Sequence, residues 1–544
     1  MGGRGTGIET KKVREYNVEI DGRDATFDAN IPDEKTTHED DVIIYTNPAH
    51  MLKKHKSDNI LPSLSLIRFA KIKNFIDGVY AKVEENVMKG GHEHSRTDFL
   101  LELENKLEDG LAKDYIRFAR LVGEGKIDAK SQYIKDYFDE PEFLPQGFYL
   151  WNEPLSNAYG QIKALSKLPE ELEKQKRKIS AAIKSDDDLK SKHDLINSLY
   201  QMMTNEQEKN GSLFPPAKMP DQKFFVDHSI ETQSDIPEGL GKALVKAIKD
   251  GLVKFTPDKK SGLYIYQMHE LTPLISRDSY EFEKYHPNKN YKSTMENEFI
   301  SQWAATRHTH VAHFDHSSMV FGCSIKYRPE VITIKPEFYA EPFPTIYERM
   351  RNSLEFLEKT IISAFSNDIL DEKRVMHDGS RSEKTIGEEF ENTYKLLDGL
   401  RMLSLDSLHI PYEYDKKGEE AIKTALSWFK NAYKDPDLDR NVAIFVPIIR
   451  ETSGEKQIAY IDAGYRLLDL DIKYDKEPKV EISPWVSHKF EEQDVQLPAL
   501  VHKEVRIPYK KMINDKKLRE VLSKKEISKA ELDTILARSH MYFE

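Results

Sequence analysis

Residues 61–83 read LPSLSLIRFAKIKNFIDGVYAKV. Leu64, Ile67, Ile72, Phe75, Ile76, Val79 and Val83 recur mostly at steps of three and four, the spacing of an amphipathic α-helix. Pro62 and Ser63 are suitable start signals. The same texture returns in residues 98–126, where Leu100, Leu101, Leu103, Leu107 and Leu111 repeat it. It is found again across 155–209, in LGKALVKAIKDGLVKF after Pro237, and in TIYERMRNSLEFLEKTIISAF (345–365). EEFENTYKLLDGLRMLSL and EEAIKTALSWFKNAY continue it. Pro169 fits the first turn of a helix, and the Ser185–Asp188 cluster starts or separates another. The Lys/Glu-rich part of 155–209 lacks sustained heptads, so a solvated helix hairpin is expected rather than a coiled coil.

Two regions differ. YNVEI and DVIIYT near the N-terminus, and VAIFVPII with KQIAYIDAGYRLLDLDIKY after residue 441, are rich in β-branched and aromatic residues. Thr452-Ser453-Gly454-Glu455 offers a hairpin turn. No internal repeat and no β-α-β alternation is visible. The expected fold is therefore α+β, a predominantly α-helical body with a smaller, mostly antiparallel β-rich portion. Its expected divisions are an extended segment at 1–55, a helical region at 56–210, a Pro-rich linker at 211–235, a helical domain at 236–440, the β-rich portion at 441–510 and a helical tail at 511–544.

The chain has 544 residues, enough for several domains. Its 81 basic and 93 acidic residues leave a net charge of -12, which argues against binding along a nucleic-acid backbone. One cysteine, Cys323, rules out an intramolecular disulfide framework and a Cys-rich zinc module. Its apolar context MVFGCSI reads as a small packed residue. Neither a secretory signal nor a membrane span is evident, so a cytoplasmic protein with no membrane partner is expected.

Common catalytic signatures are missing. There is no phosphate loop, no dinucleotide fingerprint and no G-x-S-x-G elbow. His269-Glu270 begins like a zinc-protease helix, but Pro273 occupies the position of the second histidine. His377-Asp378, among Ser, Arg and Gly neighbours, reads as a polar loop rather than a metal pair. The densest chemistry lies in WAATRHTHVAHFDH (303–316), with His308, His310, His313 and His316 in nine positions. Imidazole is the commonest metal ligand, so His310, His313 and His316 are the candidate ligands for zinc or another divalent ion. On a straight helix these three spread over an arc of roughly 120° and strain any common coordination. His308–His313 also approaches the H-x-H-x-D-H signature of metallo-β-lactamase-type hydrolases, but Ala312 stands where the carboxylate is needed.

Five segments together resemble a family of uncharacterised bacterial proteins: QGFYLWNEPL (146–155), SGLYIYQMHELTPLI (261–275), TRHTHVAHF (306–314), EPFPTIYERM (341–350) and DPDLDRNVAIFVPII (435–449). The resemblance spans roughly residues 140–510 and implies a shared fold, with no established activity attached. The third segment follows a T-R-x-T-H-V pattern, which singles out Arg307 with His310 over the other histidines. Pro342 and Pro344 make a rigid entry to the 345–365 helix. From there Tyr347 and Arg349 would meet Arg307, His310 and Glu341 in a polar seam, the candidate pocket. Two functions follow: a non-catalytic helical protein binding a protein partner or small ligand, or a metal-assisted hydrolase centred on 308–316.

Overall fold

The computed structural model describes residues 43–54, 64–126, 147–166, 175–227, 237–276, 289–313, 343–440 and 516–531, apart from single positions within those ranges, together with a few short strands. Most of the described residues are helical. In chain order the helices are α1 (Pro48–Lys54), α2 (Lys73–Met88), α3 (Arg96–Lys106), α4 (Leu111–Gly123) and α5 (Glu153–Ser166). Next come α6 (Lys176–Lys184), α7 (Asp187–Met203), α8 (Pro220–Asp227), α9 (Pro237–Lys249) and α10 (Leu263–Leu271). The rest are α11 (Lys289–Thr309), α12 (Pro344–Phe365), α13 (Ile386–Ser407), α14 (Lys416–Asn431) and α15 (Lys516–Leu522).

Local start signals, two of them expected from the sequence, cap several of these helices. Asp186 accepts from the Leu189 amide at 3.2 Å to start α7, and Pro344 stands in the first turn of α12. Thr385 and Glu388 form a reciprocal capping box on α13.

The α+β expectation is corrected: among the described residues the fold is predominantly helical and no β-rich portion is shown. In 441–510 only the pairs Ile461–Asp462, Arg466–Leu467, Val480–Glu481, Val495–Gln496 and Val505–Arg506 are strand, and the remainder lies outside the described residues. β propensity measures the fit of a side chain to a pleated, half-buried surface, so a β-branched run does not by itself fix how much sheet forms; the described strands here pair over two residues only, Ile461–Asp462 with Arg466–Leu467 and Arg466–Leu467 with Val505–Arg506. Elsewhere Val13–Ile20 pairs antiparallel with Arg23–Asn30. Ile43–Tyr45 runs antiparallel to Glu526–Ser528, which clasps the two ends of the helical body together.

The centre of the molecule is α2. Every residue from Lys73 to Val87 is buried, so this helix has no solvated face. Phe75, Ile76, Val79, Val83 and Val87 are at most 1% exposed, and burial of each such side chain stabilises by about 1.5–3 kcal/mol. The polar residues of the same helix find partners inside. Lys73 pairs with Asp77 at 2.5 Å, Asn74 donates to the Asp437 carbonyl at 2.6 Å, and Asn152 donates to Glu85 at 3.0 Å. Lys82 pairs with Glu372. The chain enters α2 through a π-helical segment, Ser65–Ile72, in which the Lys73 amide bonds five residues back to the Arg68 carbonyl. That wider turn matches the five-residue step from Ile67 to Ile72, the one break in the apolar spacing.

One buried core runs from Tyr45 to Ile527. Leu213, Phe214, Ala217, Met219 and Phe225, all from the Pro-rich 211–225 stretch, belong to it. α12 packs against α10 and α13, and α13 forms an antiparallel pair with α14. That crossing is close because Gly399 carries no side chain: a Cβ there would strike the Ala421 carbonyl.

Candidate functional site

Helix α11 carries the histidine cluster, but it stops at Thr309. Val311–His313 is a 3-10 turn, with the His310 amide bonded to the Arg307 carbonyl at 3.2 Å and the His313 amide to the His310 carbonyl at 3.0 Å. The three histidines therefore do not share one straight helix. His310 is fully buried between the rings of Tyr80 and Tyr264, each 5.6 Å away and edge-on. Its Nε2 meets the Gln267 amide oxygen at 2.7 Å, which assigns the proton to Nε2. Burial, reinforced by His313, Lys73, Arg68 and Arg307, pushes its pKa well below the usual histidine value.

His313 turns the other way. Its Nε2 meets Glu84 at 3.1 Å and its ring lies 4.6 Å from that of Tyr200. Burial alone would raise the Glu84 carboxyl, but His313, Arg96 and a 3.2 Å hydrogen bond from Tyr149 outweigh it and hold the group low. Arg96 also donates to Gln161 at 2.5 Å and to Tyr200. Thus His310 and His313, expected as ligands of one ion, are committed to different partners. His308 is buried as well, and His316 lies outside the described residues. Among the described residues no three His, Cys, Asp or Glu side chains could hold a metal ion.

Arg307 finds a carboxylate that the sequence reading did not offer. Asp221, on α8 in the Pro-rich stretch, is fully buried and pairs with Arg307. The same Asp221 Oδ2 accepts from Tyr264 at 3.0 Å and from Trp303 at 2.9 Å. One residue earlier on α11, Thr306 accepts from Arg68, and Arg68 pairs with Glu270, which also accepts from Ser353 at 2.7 Å. Thr309 donates to Asp77 at 2.7 Å. A polar seam exists, then, but its members are Asp221, Glu270, Asp77 and Glu84 with Arg68, Arg96 and Arg307.

The contact seen from α12 to this seam is Ser353 on Glu270, a residue the sequence reading did not name. Arg349 donates to the His269 carbonyl at 2.8 Å and to Thr272 at 2.7 Å, so it caps the end of α10. Burial and the Arg349 charge lower the His269 pKa to about 4. Tyr347 is buried within α12's own packing face, and Glu341 lies outside the described residues. α10 stands where α12 and α11 were expected to meet.

Open volume lies elsewhere. A cleft of about 680 Å³ is bounded by α13 and α14, by the turn at 374–384 and by residues 434–439. Glu389, Thr393 and Leu396 project into it from α13, and Thr424, Trp428 and Asn431 from α14, each set at helical spacing. The turn is built around Asp378, whose carboxylate accepts from the Ser380 amide at 2.9 Å. Gly379, at φ +79°, lies so close to the Trp151 carbonyl that a Cβ would sit 2.8 Å from it. His377-Asp378 is accordingly the turn it was expected to be.

At the cleft floor Lys71 pairs with Asp435 at 3.0 Å and Asp437 at 2.6 Å. Arg374 pairs with Asp437 at 2.8 Å and grips Glu389 by two 2.9 Å bonds. Burial would raise Asp437, yet Arg374 and Lys71 hold it below the usual carboxylate range. Trp428 is oriented by a 2.7 Å bond from its Nε1 to Asp435. Around this fixed floor the rim residues Glu383 and Lys384 have no ion-pair partner among the described residues. No helix among the described residues is long and apolar enough to cross a membrane. Comparison of the chain with protein-family models, curated proteins and solved structures returned no match.

Proposed function

We propose that this chain is a non-catalytic binding protein and that the α13–α14 cleft takes a small polar ligand. The contrast between seam and cleft carries the reading. The seam's ionisable groups are buried and engage one another, as in a network that fixes helix packing. The cleft combines open volume, an oriented indole and rim charges free of partners. Its lining is nearly balanced, with Lys71, Arg381, Lys384 and Lys434 facing Asp378, Glu383, Glu389, Asp435 and Asp439. Such a surface suits a neutral or zwitterionic ligand better than one of strong single sign. The segments at 261–275 and 306–314, which resemble a family of uncharacterised bacterial proteins, supply Tyr264, Gln267, Glu270, Arg307 and His310 to the seam. One cysteine in 544 residues goes with a cytoplasmic location.

The test is a thermal-shift screen of neutral, zwitterionic, acidic and basic small molecules on the native protein and on Thr424→Trp, which fills the cleft. Neutral or zwitterionic hits should raise the Tm of the native protein alone, since a ligand at about 100 times its Kd adds about 2.7 kcal/mol. Hits that stabilise both proteins equally would refute the cleft assignment. Ester or phosphate hydrolysis that disappears in His310→Ala would refute the non-catalytic reading.

A further inference from the structure

A second cavity, sharing no lining residue with the cleft, lies between α6, α7 and the 211–213 loop and measures about 270 Å³. Its floor is apolar: Ile179, Ile183 and Leu213 are 3%, 6% and 5% exposed. Its rim is basic. Lys176 and Lys184 flank those isoleucines along one face of α6, Lys190 faces them from α7, and Asp194 is the sole carboxylate in the lining. In a chain whose net charge is -12, three lysines against one aspartate reverse the local sign.

The side-chain amines of Lys184 and Lys190 make no hydrogen bond or ion pair among the described residues. Lys176 donates to the Asn210 carbonyl at 3.0 Å, and Gly211, at φ +78°, lets the loop pass beside its stem. The His193 ring is set by a 3.0 Å bond from Nε2 to the Leu213 carbonyl. Ser180 and Ser212 add hydroxyls to the lining. At about 30 Å³ per water-sized group, the volume has room for about nine such groups.

We propose that this cavity binds a small organic anion, with its apolar body on Ile179, Ile183 and Leu213 and its charged head held by Lys184 and Lys190. A carboxylate and a phosphate monoester share that chemistry. Sulfate-like inorganic ions do not, because they leave the isoleucine floor bare. Helix packing holds the floor in place, while the two lysines are free to close over the head group.

The experiment titrates full-length protein with phenyl phosphate, phenylacetate, inorganic phosphate and benzyl alcohol, read by calorimetry and by the His193 ring resonances. One or both aromatic anions should bind and shift His193, and binding should weaken as salt rises. In Lys184→Glu/Lys190→Glu affinity should fall by about tenfold or more, because charge-assisted bonds are lost. Both substituted residues are exposed, so the fold is retained, and an unchanged Tm checks this. Binding of phenyl phosphate rather than phenylacetate identifies the phosphate source, and the reverse identifies the carboxylate. The proposal is overturned if neither aromatic anion binds. It is equally overturned if the double variant binds undiminished, or if inorganic phosphate or benzyl alcohol binds as tightly.

Discussion

Replacement of Asp221 by alanine separates a packing network from a functional site by the sign of its effect. Asp221 is fully buried and its carboxylate pairs with Arg307, while Tyr264 and Trp303 donate to the same oxygen. Arg307 is itself 2% exposed, so alanine at 221 removes the carboxylate that pairs with a guanidinium inside the core. Breaking one partner of a buried pair costs about 3–5 kcal/mol. The orphaned Tyr264 and Trp303 donors each add about 1–3 kcal/mol if no water reaches them, and these costs overlap rather than sum. A loss of at least about 3 kcal/mol is therefore expected. Removing both charges in Asp221→Leu/Arg307→Met should recover most of it, since a buried pair replaced by apolar groups of similar volume is close to neutral. The assay is urea unfolding followed by tryptophan fluorescence, with Trp303 a direct partner of the altered residue. Functional sites store destabilising charge, so substitutions there often stabilise. A stability gain in Asp221→Ala, or a double variant as unstable as the single, would refute the assignment of this seam to packing.

Three further outcomes follow from the same contacts. His310 and His313 are both pushed below the usual histidine range, with burial the first cause, so the folded state keeps them neutral while the unfolded chain protonates near pH 6.5. Stability should therefore fall on acidification below about pH 6.5, by about 1.36 kcal/mol per pH unit for each fully buried histidine. Urea titrations at pH 7, 6 and 5 check this, and His310→Asn should reduce the slope by about one proton. Glu84, held low, loses its contribution only at more acid pH, as the carboxyl protonates in the fold. Gly399→Ala should lower the Tm although alanine favours helix by about 1 kcal/mol, because its Cβ meets the Ala421 carbonyl and overpacking costs about 1–3 kcal/mol; a rise in Tm would contradict the close crossing. Dialysis against a chelator should leave the Tm unchanged, since the His310 and His313 Nε2 atoms are engaged by Gln267 and Glu84; a zinc-dependent rise in Tm that vanishes in His310→Ala would contradict it.

The helices were legible because their signals are local. Spacing of apolar residues located α2, α12 and α13, and Pro344 marked the start of α12. The β-rich portion was misjudged because β propensity is not a local signal: it states a preference that a sheet realises only when other strands lie beside it, and VAIFVPII itself lies outside the described residues. A finer sign was present and was read too simply. The step from Ile67 to Ile72 is too long for an α-helical stripe and fits the π turn that brings Arg68 to Glu270 and Thr306.

The seam was half legible for a related reason. Arg307 and His310 stood out by residue type, but Asp221 sits in a stretch whose three prolines read as a loop, and Glu84 and Asp77 sit on a helix whose polar residues read as a solvated face. Charge on a helix implies solvent only if no complementary charge waits inside. Here α2 brings Lys73, Asp77, Lys82, Glu84 and Glu85 into the interior, and α8, α10 and α11 bring Asp221, Glu270, Arg307 and the histidines to the same core. Each group is tolerable only because the others are present, so the network specifies how these helices pack as strictly as the apolar core drives them together. That mutual dependence explains why a histidine cluster that looks catalytic in sequence is sealed in the fold, and why ligand chemistry is better sought where charge is left open, at the α13–α14 cleft and between α6 and α7.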